Sequence, residues 1–460
     1  MFTTGHVGVY VASYLSIRVE DDRGRAKGSL NWLGWLVSLQ DGIPGLVLVN
    51  GLLTDKLGFK AASALGCALF CAGVGVSYWT VQWSFWWLLS SYGVLFGIGA
   101  VTAYNAAQVG ALKWFPQRAG TATSTIMCAY ALSSFAFSPV QTAIVNPHKS
   151  EPNETTGLFE DEQMLDRVPI LFAAQAACYG TLTLVGWILL SEPRPEAQQA
   201  GGSSGEKAKE CHERHQKSAM ASLAKALRAP TFWLLFTQLF CHFCYFALVQ
   251  SFWKAFAQTV ISDDYFLAAT SSSIGLANLG GRLLWGVVAD SASLDFAMLA
   301  SLSLQSLAAL GLPYSGSLGK WGVISCLNLS HFSCASSTIL YGLAVRQHFG
   351  DTEMGTMIAA LWNALQLSAM CAALMGQLLL EPLGYSGLFF IGGALSIIAL
   401  VIAALLLSGR QCNGGDVQGQ TGMATTAAVA IAVDNLKVQP VTVVSAITTG
   451  IDNSVRQTQT

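Results

Sequence analysis

Charged residues are scarce in this sequence. Only 11% of its 460 residues are Asp, Glu, Lys or Arg, whereas 53% are hydrophobic, and the mean hydropathy is +0.49. A soluble domain usually carries about 25% charged residues. The formal net charge is −2, and no basic patch is present that would indicate binding of nucleic acid. The composition therefore predicts an integral membrane protein whose surroundings are the lipid bilayer.

Motifs for enzymatic chemistry are also lacking. The sequence has no Gly-rich phosphate loop, no nucleophile elbow and no His-Glu-x-x-His pattern. Most of the eleven cysteines lie in apolar runs without paired spacing, which is typical of small buried hydrophobic residues. Cys241 and Cys244 share a helical face, but His242 points away from it and no second ligand pair is evident. We therefore expect no enzymatic activity, no cofactor and no metal site.

Twelve apolar segments approach the length of about 20 residues that a bilayer requires. We place them at about 1–17, 31–53, 60–80, 84–107, 120–145, 168–190, 230–259, 266–290, 294–313, 319–342, 354–380 and 384–408. The first segment starts at Met1 and is barely long enough to span, without the basic region or cleavage site of a signal peptide. This pattern favours a truncated gene model or fragment. The fold class predicted is an all-α membrane protein with twelve transmembrane helices in two six-helix halves.

Polar stretches divide the chain. The first half is predicted at residues 1–190 and the second at 230–408, separated by a linker at 191–229 that is rich in glycine, serine and charge. The polar tail at 409–460 is predicted to be disordered, because its one apolar run is too short to span a bilayer.

The distribution of Lys and Arg predicts the orientation of the helices. Basic residues are concentrated in the linker and in the loops on its side, which places the linker and both termini in the cytosol. Asn153, on the opposite side, begins an Asn-x-Thr sequon and is a candidate glycosylation site. One loop on that side disagrees with the rule, because it contains Arg18, Arg23, Arg25 and Lys27.

One short pattern occurs twice at a constant distance. Gly51 precedes Asp55 by four residues, and 235 positions later Gly286 precedes Asp290 by the same spacing. A second pair of glycines has the same separation, because Gly355 follows Gly120 by 235 positions. Two landmarks in register indicate a duplicated membrane bundle, which is typical of transporters.

The first copy of this pattern resembles the loop signature of the major facilitator superfamily. In that family the conserved acid and bases of the loop form inter-helix contacts that act in gating. The resemblance implies the major facilitator fold and a cytoplasmic gate that includes Asp55, Lys56 and Lys60. Asp290 is the matching acid of the second copy, which departs from the family pattern by having Ser291-Ala292-Ser293 where bases are usual.

Two further stretches narrow the resemblance. One stretch looks like the fourth-to-fifth helix region of oxalate/formate antiporter relatives. It consists of Lys113-Trp114-Phe115-Pro116, followed by Gly120, Ala122 and Ser138-Pro139. The stretch from Asn278 to Gly286 resembles helix eight of that group and of monocarboxylate transporters. The resemblance covers about residues 5–408. It implies a carrier of small organic anions that works by alternating access.

Arg282 is the leading candidate for substrate binding. An arginine inside a membrane helix costs at least about 2.5 kcal/mol, so it is expected to face a cavity or a partner. It lies two turns before Asp290, hence roughly 12 Å inside the cytosolic end of the helix. Its planar guanidinium suits a carboxylate, and in the resembling families an arginine at this place binds that group of the substrate. A salt bridge or a clamp on a helix carbonyl is the structural alternative.

Two departures from the families bear on the substrate. Asn278 shares the face of Arg282, where monocarboxylate carriers have an acid that is thought to carry the coupled proton. Asparagine cannot do so, which favours exchange or uniport through this pair. Oxalate-type antiporters also place a lysine on helix eleven, where this chain offers Trp362, Asn363 and Gln366. A monoanion or a zwitterion therefore fits better than a dicarboxylate.

Asp41 is a second buried ionisable group. It lies near mid-membrane beside Gly42 and Pro44, which loosen the helix. It could bind a coupled proton, or act as a counter-ion to Arg282 or to a substrate amine. The alternatives are a protonated acid or a structural pair.

Several apolar segments also contain polar residues that are spaced three or four positions apart and so share one face of a helix. Such residues within lipid point toward a cavity or another helix, and inter-helix hydrogen bonding is the commoner role. His242 and His331 could also relay protons near neutral pH. The candidate residues are Gln238, His242 and Tyr245 on helix seven, Asn328 and His331 on helix ten, and Tyr104, Asn105 and Gln108 on helix four.

Three functions remain open from the sequence. The first is a carrier of a small organic anion with Arg282 in a central site. The second is a carrier of amino acids or other zwitterions that uses Arg282 for the carboxylate and Asp41 for the amine. The third is a non-transporting membrane sensor or scaffold, which the incomplete second gate motif favours and the buried charge of Arg282 argues against.

Overall fold

Helices account for all of the regular structure in the part of the chain described by the computed structural model. The described residues are 4–19, 30–46, 57–115, 119–153, 156–191, 227–349 and 354–413. The predicted gate residues Asp55 and Lys56, most of the linker and most of the tail lie outside them.

The N-terminal helices come from the first six apolar segments. Each segment carries helix, and a 3₁₀ turn at Leu30–Trp32 and a π-helical stretch at Leu89–Leu95 adjoin the α-helices. The α-helices are α1 (Thr4–Arg18), α2 (Leu33–Asp41), α3 (Phe59–Trp83), α4 (Phe85–Leu88), α5 (Phe96–Trp114), α6 (Ala119–Val145), α7 (Glu162–Leu165) and α8 (Arg167–Leu189).

The C-terminal helices come from the last six segments. A 3₁₀ segment at Leu312–Leu318 separates two of them, and Gly384 interrupts the last helix with a φ of 66°. The α-helices are α9 (Pro230–Ala257), α10 (Asp264–Ser291), α11 (Leu294–Gly311), α12 (Gly319–Cys334), α13 (Ser337–Phe349) and α14 (Met354–Asn413).

Two predicted segments are not continuous helices. The segment at 31–53 was expected to span as one helix, but α2 ends at Asp41 because Gly42 adopts a φ of 118°. The segment at 319–342 divides between α12 and α13, with Ala335 and Ser336 at the break. Hydropathy measures apolar length alone, so it does not detect a local change of backbone direction.

The outer surface of the helices suits a lipid environment. Seven helical stretches of the described residues are long and apolar enough to cross a membrane. Large apolar side chains are exposed on them, such as Ile188 and Leu189 on α8. Trp79, Trp83 and Trp87 are exposed near the junction of α3 and α4, as expected for aromatic residues at a membrane interface.

Small residues allow the N-terminal and C-terminal helices to approach closely. A Cβ atom at Gly34 of α2 would lie 2.9 Å from the Cα of Ala373 on α14. A Cβ at Gly275 of α10 would lie 3.0 Å from the carbonyl oxygen of Ala131 on α6. Such contacts are typical of helix packing in membranes, where small residues let backbones approach. The two helix sets therefore meet along α2–α14 and α6–α10, and a cavity remains between these seams.

The loop that follows α6 is held by polar contacts. The Asn153 amide donates to Glu160 over 2.8 Å. The Ser150 hydroxyl donates to Asp161, and this hydrogen bond holds the pKa of the Asp161 carboxyl below its usual range. Asp161 also accepts the backbone N–H of Gln163 over 2.9 Å and so caps α7.

Candidate functional site

A cavity of about 520 Å³ lies between the N-terminal and C-terminal helices. Its lining residues come from α2, α3, α5, α6 and α8 on one side, and from α9, α10, α12, α13 and α14 on the other. Asp41 and Arg282 are the charged residues of this lining in the described part of the chain. The rest is mainly apolar, with an aromatic wall formed by Phe70, Phe96, Phe137, Tyr179, Phe243, Phe246 and Trp362.

Neutral side chains hold the guanidinium of Arg282 in this cavity. Its Nε donates to the Asn278 amide oxygen over 2.9 Å, and its Nη1 donates to the Thr338 hydroxyl over 2.8 Å. The Asn278 amide nitrogen in turn donates to the His331 carbonyl over 3.1 Å. These partners orient the guanidinium without neutralising its charge. A guanidinium carries five N–H donors in a planar fork that suits a carboxylate.

Close packing of α10 against α12 sets the position of Arg282. A Cβ atom at the neighbouring Gly281 would lie 2.2 Å from the carbonyl oxygen of Phe332, so only glycine fits there. One turn later, the Trp285 indole donates to the same carbonyl over 3.0 Å. The backbone of α12 thus lies directly against α10 at the level of Arg282.

Asp41 reaches the same cavity from the opposite set of helices. It is the last residue of α2, and the left-handed conformation of Gly42 redirects the chain immediately after it. The backbone N–H of Gly45 donates to the Asn363 side chain over 2.7 Å, which ties this turn to α14. Arg282 and Asp41 therefore line one cavity from different helix sets.

The other predicted binding residues divide into two groups. Asn105 and Trp362 line the cavity, whereas Asn363 is not among the lining residues and instead holds the turn after α2. The lining does not include the remaining predicted residues, which are His242, Tyr245, Asn328 and His331.

Inter-helix hydrogen bonds account for most of that second group. Tyr245 bonds the Ser330 hydroxyl over 2.8 Å, and Asn328 donates to Ser273 over 3.1 Å. His331 bonds Gln250, a lining residue, over 3.0 Å. These contacts match the structural alternative that the sequence left open.

His242 is buried away from the cavity. Its ring centroid lies 5.8 Å from that of Tyr341, and its backbone carbonyl accepts from Gln305 over 2.9 Å. Across the described residues, no group of three or more His, Cys, Asp or Glu side chains is arranged to hold a metal ion.

Two of the predicted gate residues are described by the structure. Lys60 lies at the start of α3, where its Nζ is 5.5 Å from the ring centroid of Trp187 on α8. Asp290 is exposed in the last turn of α10. Their part in gating stays a prediction.

A buried ion pair between Lys254 and Asp264, whose charged atoms are 2.9 Å apart, was not predicted from the sequence. Lys254 lies within the apolar segment of α9, so the criterion that identified Arg282 could also have found it. Thr338 was missed as well, because a lone threonine in a membrane helix carries no distinctive signal.

Solved structures share this arrangement of helices. The chain matches a crystal structure of a D-xylose-proton symporter with a TM-score of 0.66 at 12% identity, covering 87% of this chain and 94% of that one. At this identity the likeness concerns the fold alone. The shared fold is a multi-pass bundle of membrane helices, and in this chain a cavity lies between two helix sets.

The family follows from the sequence match. Residues 6–362 match the family model described as Major Facilitator Superfamily. The chain belongs to the Major Facilitator Superfamily, which confirms the predicted family and the all-α membrane fold.

Two curated relatives are similar to the chain over most of its length. It is 26% identical over 389 residues to apicoplast pyruvate carrier 1 of Toxoplasma gondii, covering 77% of this chain and 71% of the relative. It is 21% identical over 370 residues to the oxalate:formate antiporter of Oxalobacter formigenes, covering 78% of each chain. These relatives favour a transporter over the sensor or scaffold interpretation.

Proposed function

We propose that the protein carries a small monocarboxylate across the membrane and that Arg282 binds the carboxylate in the central cavity. The observation that carries this proposal is the guanidinium of Arg282, which lines the cavity while the neutral side chains of Asn278 and Thr338 orient it. The names of the two relatives, a pyruvate carrier and an oxalate:formate antiporter, support an organic anion as the substrate.

The charges of the cavity favour one carboxylate over two. The described lining contains a single cationic side chain, Arg282, and Asp41 would repel a second carboxylate of the substrate. The aromatic wall offers an apolar surface to the rest of the molecule. A monocarboxylate with an apolar body satisfies both features.

A zwitterion is the second candidate substrate. Asp41 lines the same cavity as Arg282 and comes from the opposite helix set. An amino acid could place its carboxylate at Arg282 and its amine at Asp41, and its binding would then draw the two sets of helices together.

Uptake into liposomes tests both candidates. A panel of monocarboxylates, dicarboxylates and amino acids is supplied to the wild type, Arg282→Gln and Asp41→Asn. We expect Arg282→Gln to lower monocarboxylate uptake about a hundredfold, because charge-assisted hydrogen bonds to the substrate are lost. Asp41→Asn is expected to have a modest effect on a monocarboxylate and to abolish uptake of a zwitterion.

A matched control separates binding from folding. Arg346→Gln removes an exposed arginine of α13 that does not line the cavity, so uptake should stay near the wild-type rate. All variants are compared at equal amounts of monodisperse protein. Monocarboxylate uptake that persists in folded Arg282→Gln contradicts the proposed site.

We also propose that the linker and both termini face the cytosol, on the distribution of Lys and Arg. In this orientation Asn153 lies in a loop on the non-cytosolic side and accepts a glycan in a glycosylating host. The expected result is a mass shift with endoglycosidase that Asn153→Gln abolishes. The control is Asn328→Gln, because the sequon at Asn328 lies inside α12 and should be silent. A shift that survives Asn153→Gln argues against this topology.

A further inference from the structure

A buried ion pair lies at the end of the C-terminal helices opposite the linker. Lys254 is in the last turn of α9, and Asp264 begins α10. The Lys254 Nζ is 2.9 Å from the Asp264 Oδ1, and the two side chains are 0% and 1% exposed. Because α9 begins at Pro230, just after the linker, its last turn lies at the linker-distal side of the bundle.

The N-terminal helices enclose this pair. The Tyr10 hydroxyl on α1 donates to the Asp264 Oδ2 over 2.7 Å, and the Asn146 amide after α6 donates to the same oxygen over 3.0 Å. The Lys254 Nζ also lies 3.7 Å from the centroid of the Tyr10 ring, within the range of a cation–π contact. The C-terminal ion pair is therefore completed by groups from the other set of helices.

Further contacts extend this junction along α1. The Tyr10 hydroxyl lies 3.0 Å from the Thr142 hydroxyl, which the His6 Nε2 approaches to 2.8 Å. The His6 ring stacks on that of Trp253 at 6.1 Å between centroids. Four helices, α1, α6, α9 and α10, thus meet at one buried polar cluster.

The cluster lies immediately beyond the cavity. Gln250 lines the cavity and precedes Lys254 by four residues on α9, which corresponds to roughly 6 Å along the helix. The polar cluster thus separates the cavity from the linker-distal surface. Access from that side requires α1 and α6 to move away from α9 and α10.

The chemistry of this junction differs from that of the two seams between the helix sets. The seams rely on small residues in close contact, such as Gly34 against Ala373. A buried ion pair is costly, and apolar residues of similar volume often serve stability at least as well. Polar groups have one property that such residues lack: water can replace their hydrogen-bond partners when the interface opens.

We propose that Tyr10, Asn146, Lys254 and Asp264 form a latch that closes the linker-distal entrance of the cavity and opens in every transport cycle. When the latch opens, Asp264 exchanges Tyr10 and Asn146 for water while Lys254 stays beside it on the C-terminal set. The inference rests on transport by alternating access. It is independent of the substrate and of the role of Arg282.

The variants that test the latch leave the ion pair intact, because removal of one partner would leave a buried charge without compensation. Tyr10→Phe removes the hydroxyl and keeps the ring against Lys254. Asn146→Ala removes the second hydrogen bond, together with two contacts that Asn146 makes to the backbone of Ser150. Tyr10→Phe is therefore the cleaner of the two variants.

A third variant combines the two changes. Tyr10→Phe with Asn146→Ala removes both hydrogen bonds that the N-terminal helices donate to Asp264, while the ion pair with Lys254 stays intact. It should open the entrance further than either single change.

The measurement is the distance between spin labels on the two helix sets at the linker-distal side. Labels are attached at Glu162 on α7 and Tyr314 after α11, both exposed, in the full chain with its native cysteines replaced. Pulsed electron resonance in lipid nanodiscs reports the populations of short and long distances. No substrate is needed, so the result does not depend on the proposed function.

We expect Tyr10→Phe and Asn146→Ala each to raise the ratio of long to short distances about tenfold, since each removes a hydrogen bond to a charged group. The combined variant should raise this ratio further. As a control, Asp166→Asn removes the exposed ion pair with Arg18, also 2.9 Å long but within the N-terminal set, and should change nothing.

The proposal is overturned if the folded Tyr10→Phe and Asn146→Ala proteins keep the wild-type distance distribution. It is equally overturned if the folded combined variant leaves the entrance as closed as in the wild type. If the distances shift as expected while monocarboxylate uptake is absent, the latch stands and the proposed substrate is wrong.

Discussion

At the residue scale, a single amide side chain sets the surroundings of Arg282. Asn278 accepts a hydrogen bond from the Nε of Arg282 and donates to the His331 carbonyl, so its two polar atoms have opposite duties. A carboxylate at this position could perform only the first. The amide therefore orients the guanidinium without placing a negative charge beside it.

Asn278→Asp is expected to change the pH dependence of transport. Its carboxylate would pair with Arg282 and compete with the substrate, so the KM for a monocarboxylate should rise about tenfold at neutral pH. Lower pH protonates the new acid, which weakens the competition, so the KM should fall toward the wild-type value. Initial uptake rates as a function of pH measure this change.

Asn278→Leu is the control for that experiment. It removes the hydrogen bond to Arg282 without adding a titratable group, so its KM should rise and stay independent of pH. Equal pH profiles for Asn278→Asp and Asn278→Leu would refute the competition between the introduced carboxylate and the substrate at Arg282.

At this scale, the sequence predicts contacts between residues of one helix, but not contacts between residues that helix packing brings together. Helical spacing relates Asn278 to Arg282, which the structure joins by a hydrogen bond. It contains no information about Thr338, which arrives from α13, or about Tyr10, which is 254 positions from Asp264. Such pairs depend on how helices pack, and hydropathy does not encode that.

At the scale of helices, adjacent glycines on α10 have different surroundings. A Cβ atom at Gly281 would lie 2.2 Å from the carbonyl oxygen of Phe332, whereas a Cβ at Gly280 would have no atom within 4 Å. The approach of α10 to α12 thus depends on one of the two residues. The carbonyl oxygen belongs to the backbone, so it cannot rotate away as a side chain could.

Gly281→Ala is expected to separate α10 from α12 and to destabilise the protein by about 1–3 kcal/mol, as overpacking does. The displaced helix carries Arg282, so transport should fall as well. Gly280→Ala is the matched control and should be neutral or slightly stabilising, because alanine favours helix over glycine. Thermal unfolding in detergent compares the two, and equal melting temperatures would contradict the close approach.

The sequence predicted where the helices lie better than it predicted where a helix is interrupted. Helices lie in all twelve predicted apolar segments, because apolar length is what a bilayer requires. The end of α2 at Asp41 was beyond that reasoning, although Gly42 and Pro44 were recognised as weak points. Whether such a pair bends or ends a helix depends on its neighbours, here Asn363 bonding the N–H of Gly45.

At the scale of the whole molecule, the two helix sets are joined by contacts far apart in sequence. Gly34 meets Ala373, Gly275 meets Ala131, and the Trp35 indole donates to the Gln377 side chain over 2.8 Å. The major facilitator fold was predicted from the loop signature and is confirmed. The division into halves at 1–190 and 230–408 stays a prediction.

Co-expression of the two halves as separate chains tests that division. A chain break between Gly202 and Ser203 leaves every contact between the described helices in place, so the co-expressed fragments should assemble and recover a measurable fraction of uptake. Either fragment alone should transport nothing, since the cavity needs both sets. Fragments that fail to copurify would show that the linker is needed for assembly.

The early end of α2 has an electrostatic consequence for the transported molecule. The C-terminus of a helix carries a partial negative charge of about half an elementary charge, and α2 ends at the cavity wall with the carboxyl of Asp41. Arg282 stands on the other side, so the two helix sets impose a field of one direction across the cavity. We expect this field to align the proposed monocarboxylate, with its charged end toward α10 and its apolar end toward Phe70 and Phe96.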